Sequence, residues 1–178
     1  YDTMIQAASG LMSITGNANE APLKAGSALS DGISGTFAAM SIISAVFNKF
    51  RTGKGDFIDV AMSDCLFSLV FDEPLDCYQT LGVPERQGNR ITRFSPFNSY
   101  KSKDQWIVIG AATDKDWKNI LNVIGRRDLQ EHVDFSRIEW RLENNSVIDQ
   151  LISDWCAPRE SYEISRLLNQ NEIPNSIV

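Results

Sequence analysis

Asp31 is the residue of this chain best placed to do chemistry. It stands in Gly26-Ser27-Ala28-Leu29-Ser30-Asp31-Gly32-Ile33-Ser34-Gly35, a run of small residues opening a long apolar segment. A carboxylate can act as a nucleophile toward a thioester or a phosphoryl group and form a covalent intermediate. The start of a helix favours an anion, through exposed N–H groups and the helix dipole. Gly32 and Gly35 strip bulk from the next turn, so a ligand can approach backbone and carboxylate closely. The same position has a plain structural use, because an Asp at a helix start caps it, worth about 1 kcal/mol. Spacing alone leaves both readings open.

Other chemical candidates are few. The Tyr1 hydroxyl can donate to a developing oxyanion, and Asp2 can orient a ligand. The single histidine, His132, lies in the polar stretch Gln130-Glu131-His132-Val133-Asp134 and reads as a surface residue. One histidine rules out a His-rich metal site, and no metal is expected. Cys65, Cys77 and Cys156 are scattered without CxxC spacing, which points to free thiols in a reducing, cytoplasmic setting. Arg51-Thr52-Gly53-Lys54-Gly55-Asp56 lacks phosphate-loop spacing and reads as a turn. Trp117 and Trp155 fall at helical spacing with apolar neighbours and read as core, whereas Glu139, Glu143 and Asp149 read as a solvated face.

The whole composition narrows the partners. With 178 residues, one domain or two small ones is expected. A net charge of −6 without a basic run argues against nucleic acid and anionic membrane surfaces. The longest apolar-rich run, Phe37 to Phe47, is broken by Ser41 and Ser44 and is too short to span a bilayer, so no membrane partner is expected. The chain opens on Tyr1 rather than Met, and reads as a piece of a longer protein.

These residues must be positioned by an α/β chain. A helix is expected over 1–15, stopped by Gly16, then a loop over 17–30. Ser30 or Asp31 should cap a helix running to about Phe50, with Phe37, Met40, Ile43, Phe47 and Phe50 as its buried stripe. A strand over Phe57 to Met62 follows, then a helix from Ser63 through Val70, the alternation expected over a parallel sheet. Domain boundaries are expected at 1–81 for a large α/β portion, 82–94 for a linker and 95–178 for a small α+β unit. Within the last, strands are expected near Phe97–Tyr100 and Trp106–Ala111. A capping box at Thr113–Asp116 should start a helix that Gly125 ends, and helices should follow at Asn145–Cys156 and Arg159–Asn169.

Four ordered segments resemble the class III CoA-transferases, the CaiB/BaiF group. Tyr1 to Met12 resembles the family's YDxxxQAxSGLM segment, and Gly26 to Gly35 is similar to the stretch carrying its nucleophilic aspartate. Arg51 to Asp64 resembles RTGxGxxxDVxMxD, and Tyr100 to Ile109 with Trp117 and Arg126 to Leu129 is similar to its small-domain segment. The resemblance implies a Rossmann-like large domain followed by a small α+β domain. It also implies transfer of CoA between an acyl-CoA and a carboxylic acid through an aspartyl intermediate at Asp31. Tyr1, Asp2 and Gly32 would then contact substrate or CoA, with coenzyme A as co-substrate and no metal. An interlocked homodimer of the full-length protein is further implied. Two alternatives stand beside transfer: a 2-methylacyl-CoA racemase of the same fold, or a non-catalytic CoA-binding or assembly module. Racemases place a His where this chain has Tyr1, and a phenol titrating near 10 is a poor general base at pH 7. Residues 92–99 lack the glycine run of formyl-CoA transferase, which argues against formyl or oxalate specificity.

Overall fold

A computed structural model describes residues 1–70, 78, 80 and 82–178. Cys77 lies outside the described residues, and Cys65 and Cys156 are buried free thiols. The chain divides into two compact units, Tyr1–Gly88 and Asn89–Val178.

The first unit is helical: α1 (Asp2–Ala8), α2 (Leu11–Ile14), α3 (Leu29–Thr52) and α4 (Met62–Val70). The single helix expected over 1–15 is two, because Gly10 sits at φ 88°, a left-handed value that breaks the run. Residues 86–88 fasten the loop that follows α2. The Arg86 guanidinium donates to the carbonyls of Ser13, Asn17 and Glu20 at 3.0 to 3.3 Å. The Gly88 N–H donates to Gly16 O at 2.8 Å.

Three expectations for this unit fail. The stripe of α3 is not buried within the chain. Phe37, Met40, Ile43, Phe47 and Phe50 are all exposed, Phe50 by 87%, and the helix buries only Ser30 and Ser34. Secondly, α3 has 24 residues, long and apolar enough by length and composition to cross a bilayer. Ser44 and Ser34 do not interrupt it, because their hydroxyls turn back onto the helix, Ser44 onto Met40 O at 2.9 Å and Ser34 onto Ser30 O at 2.6 Å. Gly53, at φ 74°, ends the helix with its N–H on Lys49 O. Lastly, the strand expected at Phe57–Met62 is absent. Residues 54–61 carry no regular structure, and Met62 already belongs to α4. A strand exists only by its ladder, and no partner for it stands among the described residues. No parallel sheet is therefore seen among the described residues.

The second unit is α+β. Strands β1 (Phe97–Lys101), β2 (Trp106–Gly110) and β3 (Asn175–Ile177) form an antiparallel sheet in that order, with Tyr100 opposite Ile107 and Ile107 opposite Ile177. Helices α5 (Asp114–Val123), α6 (Val133–Ser136), α7 (Ile138–Glu143), α8 (Asn145–Cys156) and α9 (Ser161–Gln170) complete it, with a 3-10 turn at Arg127–Leu129. Helix α8 packs on β1, and α9 on β2 and β3. Between them Tyr100, Ile107, Ile109, Trp117, Leu121, Ile148, Ile152 and Ile164 form one core. The Thr113 capping box forms, with Thr113 and Asp116 bonding reciprocally. The Asn145–Cys156 helix has the expected bounds. Strand β3 was not anticipated, since three residues after Pro174 fall below the length at which alternation can be read. Asp149 is not on a solvated face. It accepts from Tyr100 Oη at 2.8 Å, Asn98 Nδ2 at 3.0 Å and Arg90 Nη2 at 2.6 Å. Those donors come from segments some 50 residues away, and periodicity cannot see them.

Two polar devices hold this unit. The Arg141 guanidinium, buried, donates to the carbonyls of Ser95, Phe135 and Ser136 and to Asp114 Oδ1, all within 3.1 Å, while lying over the Trp117 ring. Arg141→Met should cost about 3 kcal/mol in urea unfolding, because it strands three carbonyls. Arg141→Lys should recover little of that, since an ammonium cannot reproduce the planar fork. The second device is Asp104, whose oxygens accept the Ser161 N–H at 2.8 Å and the Ser161 hydroxyl at 2.9 Å, capping α9. The Ser161 N–H is the main cause that holds its carboxyl below the ordinary value of 3.8. A depressed folded value means that the stabilisation is full above the unfolded value and is lost as pH falls below it. The stability gap between wild type and Asp104→Ala should therefore be widest near pH 7 and narrow from about pH 4 downward, as read by urea midpoints across pH.

Candidate active site

The site is built at the first turn of α3, and its geometry begins with a defect. The residue at the N-cap is Ala28, which has no side chain to accept from the free N–H groups. Neither Ser30 nor Asp31 caps the helix, as the sequence suggested, because both already lie inside its first turn.

The missing cap comes from α1. Asp2 Oδ1 accepts the Ser30 N–H at 2.8 Å and the Ser30 hydroxyl at 2.5 Å. The same hydroxyl lies 3.1 Å from Asp2 O. The Ser30 hydroxyl is the largest influence holding the Asp2 carboxyl below its ordinary value of 3.8, and the backbone N–H groups of Ser30 and Asp31 act in the same direction. The helix start thus already carries an anion. The exposed N–H groups expected to receive an anionic ligand are occupied by Asp2.

Gln6 completes the arrangement. It lies one turn after Asp2 on α1 and is fully buried. Its Nε2 donates to Asp2 Oδ2 at 2.7 Å and to Ser27 O at 3.2 Å, and its Oε1 accepts the Ala25 N–H at 2.8 Å. One amide therefore ties the Asp2 carboxylate to both sides of the loop leading into α3. Reading the sequence missed this residue. The available signal was Asp2 and Gln6 at i and i+4 on a short helix that is otherwise largely apolar.

Asp31, one residue beyond Ser30, is left unengaged. It is exposed, and its carboxylate accepts no hydrogen bond from any described residue. Gly32 and Gly35 beside it are exposed as well, with nothing within 4 Å of where a Cβ would stand. Tyr1 is fully exposed at the start of α1, its carbonyl accepting from Met4 and Ile5. The structure thus brings Tyr1, Asp2, Asp31 and Gly32 to neighbouring helix starts of one unit. Asp2 faces the protein, while the Asp31 carboxylate and Gly32 are open to solvent. His132 belongs to the other unit and is exposed, its Nδ1 accepting from the Asp134 N–H at 3.3 Å at the start of α6. Among the described residues, no group of three or more His, Cys, Asp or Glu is set to hold a metal ion.

Comparison with known proteins shows the family of the chain. The family model described as CoA-transferase family III matches residues 1–178. A succinyl-CoA:mesaconate CoA-transferase of Haloarcula hispanica is 32% identical over 169 residues, covering 94% of this chain and 42% of that protein. An acetyl-CoA:oxalate CoA-transferase of Acetobacter aceti is 35% identical over 150 residues, covering 83% of this chain and 38% of that protein. The crystal structure of a CaiB/BaiF family protein from Brucella suis superposes with a TM-score of 0.81 at 26% identity, over 99% of this chain and 47% of that one. The chain spans less than half the length of these relatives. With the whole chain matched by the family model, it belongs to CoA-transferase family III.

Proposed function

We propose that this chain carries the nucleophile of a CoA-transferase, and that the nucleophile is Asp31. The observation that carries the reading is an exposed carboxylate without hydrogen-bond partners among the described residues, on a helix turn whose neighbouring glycines leave open space. A carboxylate engaged as a cap would have its lone pairs occupied, and here Asp2 does that work instead.

The reaction follows from the chemistry of a carboxylate and a thioester. An Asp31 oxygen attacks the acyl-CoA carbonyl, the C–S bond breaks, and an aspartyl mixed anhydride and CoA thiolate result. The thiolate attacks the Asp31 carbonyl and releases the donor acid, leaving an aspartyl-CoA thioester. The acceptor carboxylate attacks that thioester and displaces the thiolate, which then takes the acceptor's acyl group and restores Asp31. Every step exchanges one activated acyl carbonyl for another, so no net proton or electron is consumed. In this reading the Tyr1 hydroxyl donates to the oxyanion that forms at each attack, and Gly32 permits close approach of the substrate. Coenzyme A enters as co-substrate.

The acceptor is a short dicarboxylic acid. The relatives are named for succinyl, mesaconate, oxalate, citramalate, glutarate and malate groups, each built on a di-acid. The full-length protein works as an interlocked homodimer in the cytoplasm.

The test is to trap the intermediate. Full-length protein incubated with succinyl-CoA and hydroxylamine should gain a hydroxamate at Asp31, located by peptide mass spectrometry. Asp31→Ala should abolish the adduct and lower transfer roughly a thousandfold or more, the scale of losing a covalent nucleophile. Full activity in Asp31→Ala would overturn the assignment. Solvent deuterium entering the α-carbon of a 2-methylacyl-CoA, without transfer to an acid, would replace it with racemisation.

A further inference from the structure

We infer that Gln6 and Asp2 are positioning residues for Asp31, acting as one unit on the first turn of α3; the inference rests on the reading of Asp31 as nucleophile. Neither residue needs to touch substrate for this role.

The argument starts from what Asp31 lacks. No described side chain holds its carboxylate, so its direction is set by the backbone that carries it. That backbone enters the helix through Ala28, which offers no cap. The Ser30 N–H and hydroxyl are held by Asp2 Oδ1. The second oxygen of Asp2 is held by Gln6 Nε2, and the same amide grips Ser27 O and Ala25 N on the preceding loop. Four points within residues 25–31 are thereby referred to α1 through two side chains. The Ser30 backbone is additionally tied one turn on, where Ser34 Oγ donates to Ser30 O at 2.6 Å. Gln6 is buried, so its bonds do not exchange with water. Covalent catalysis needs the attacking oxygen in a narrow range of distance and angle, and a misplacement of about 1 Å can cost about 10²-fold.

The donors and acceptors are polar in a definite sense, which makes the pair testable by exchange. Asp2→Asn keeps the oxygen facing Ser30 but sets its amide nitrogen against Gln6 Nε2, donor against donor. Gln6→Glu sets two carboxylates together where one bond of 2.7 Å stood. The double variant Asp2→Asn with Gln6→Glu restores a donor facing an acceptor between residues 2 and 6 and keeps an acceptor for the Ala25 N–H, while Ser27 O loses its donor.

The experiment measures single-turnover formation of the Asp31 adduct, with steady-state kcat and KM for succinyl-CoA, in full-length wild type, both single variants and the double variant. Thermal melts accompany each. Each single variant should slow adduct formation and kcat about 10- to 100-fold, with KM within about twofold, and the double variant, which regains the contact between residues 2 and 6 but not the bond to Ser27 O, should recover part of the loss. A single variant that fails to fold is replaced in the comparison by the double variant against Gln6→Met, which keeps the buried volume and removes all three bonds. Adduct formation within twofold of wild type in folded variants would overturn the inference. So would a rise in KM at unchanged kcat, which would make the pair a binding element, or losses in the double variant that simply add. Failure of the nucleophile reading shows separately, as an adduct that survives Asp31→Ala.

Discussion

The contact between the Asp2 carboxylate and Ser30 decides how the first unit is built. Helix α3 is the longest element among the described residues, yet its own sequence places Ala28 where a capping side chain is needed. Supplying that cap from α1 couples the two helices through side-chain hydrogen bonds. It also releases Asp31 from the structural task that an Asp at a helix start ordinarily performs. The second unit uses the same chemistry at Asp104 and Ser161, where a distant carboxylate again takes a serine N–H and hydroxyl at a helix start. There the following residue is Tyr162, and no free carboxylate in an open glycine turn accompanies the cap. A borrowed cap is thus a general structural device of this chain. The first unit differs in the exposed acid beside its cap, whose carboxylate accepts from no described residue.

Local features were legible in the sequence, and features made by distant partners were not. The capping box at Thr113–Asp116, the glycine stop at Gly125 and the bounds of α8 each depend on residues within a few positions of one another. Asp31 could be singled out from its small neighbours, although its place in the turn was misjudged. Recognising that Asp2 and not Asp31 caps α3 required knowing that residues 28 positions apart meet. Gln6 escaped notice for the same reason, since its three partners lie partly on a loop 19 to 21 residues away.

Burial was the property read least well. A helix apolar around most of its circumference was expected to lie in a core, and Phe47 and Phe50 are exposed. Apolar patterning reports that a face must be covered but says nothing of what covers it. Asp149 shows the converse, a charged residue on an ordinary helix turned into the junction of Tyr100, Asn98 and Arg90. The strand expected at Phe57 belongs to the same class of error, because β structure is a relation between segments rather than a property of one.

The strap at Arg86–Gly88 bears on the order in which the first unit can become complete. It binds Ser13, Gly16, Asn17 and Glu20, residues up to 73 positions earlier, and so closes a chain loop that contains the whole of α3 and α4. On a ribosome, α1 can cap α3 as soon as both have emerged, while the segment between α2 and α3 gains its remaining anchors only after residue 88 is made. Closing so long a loop adds little entropy beyond a shorter one, because the cost grows only logarithmically with length. The delay is therefore set by synthesis rather than by the search for the contact. The first turn of α3 is framed early and the loop leading to it is fastened late.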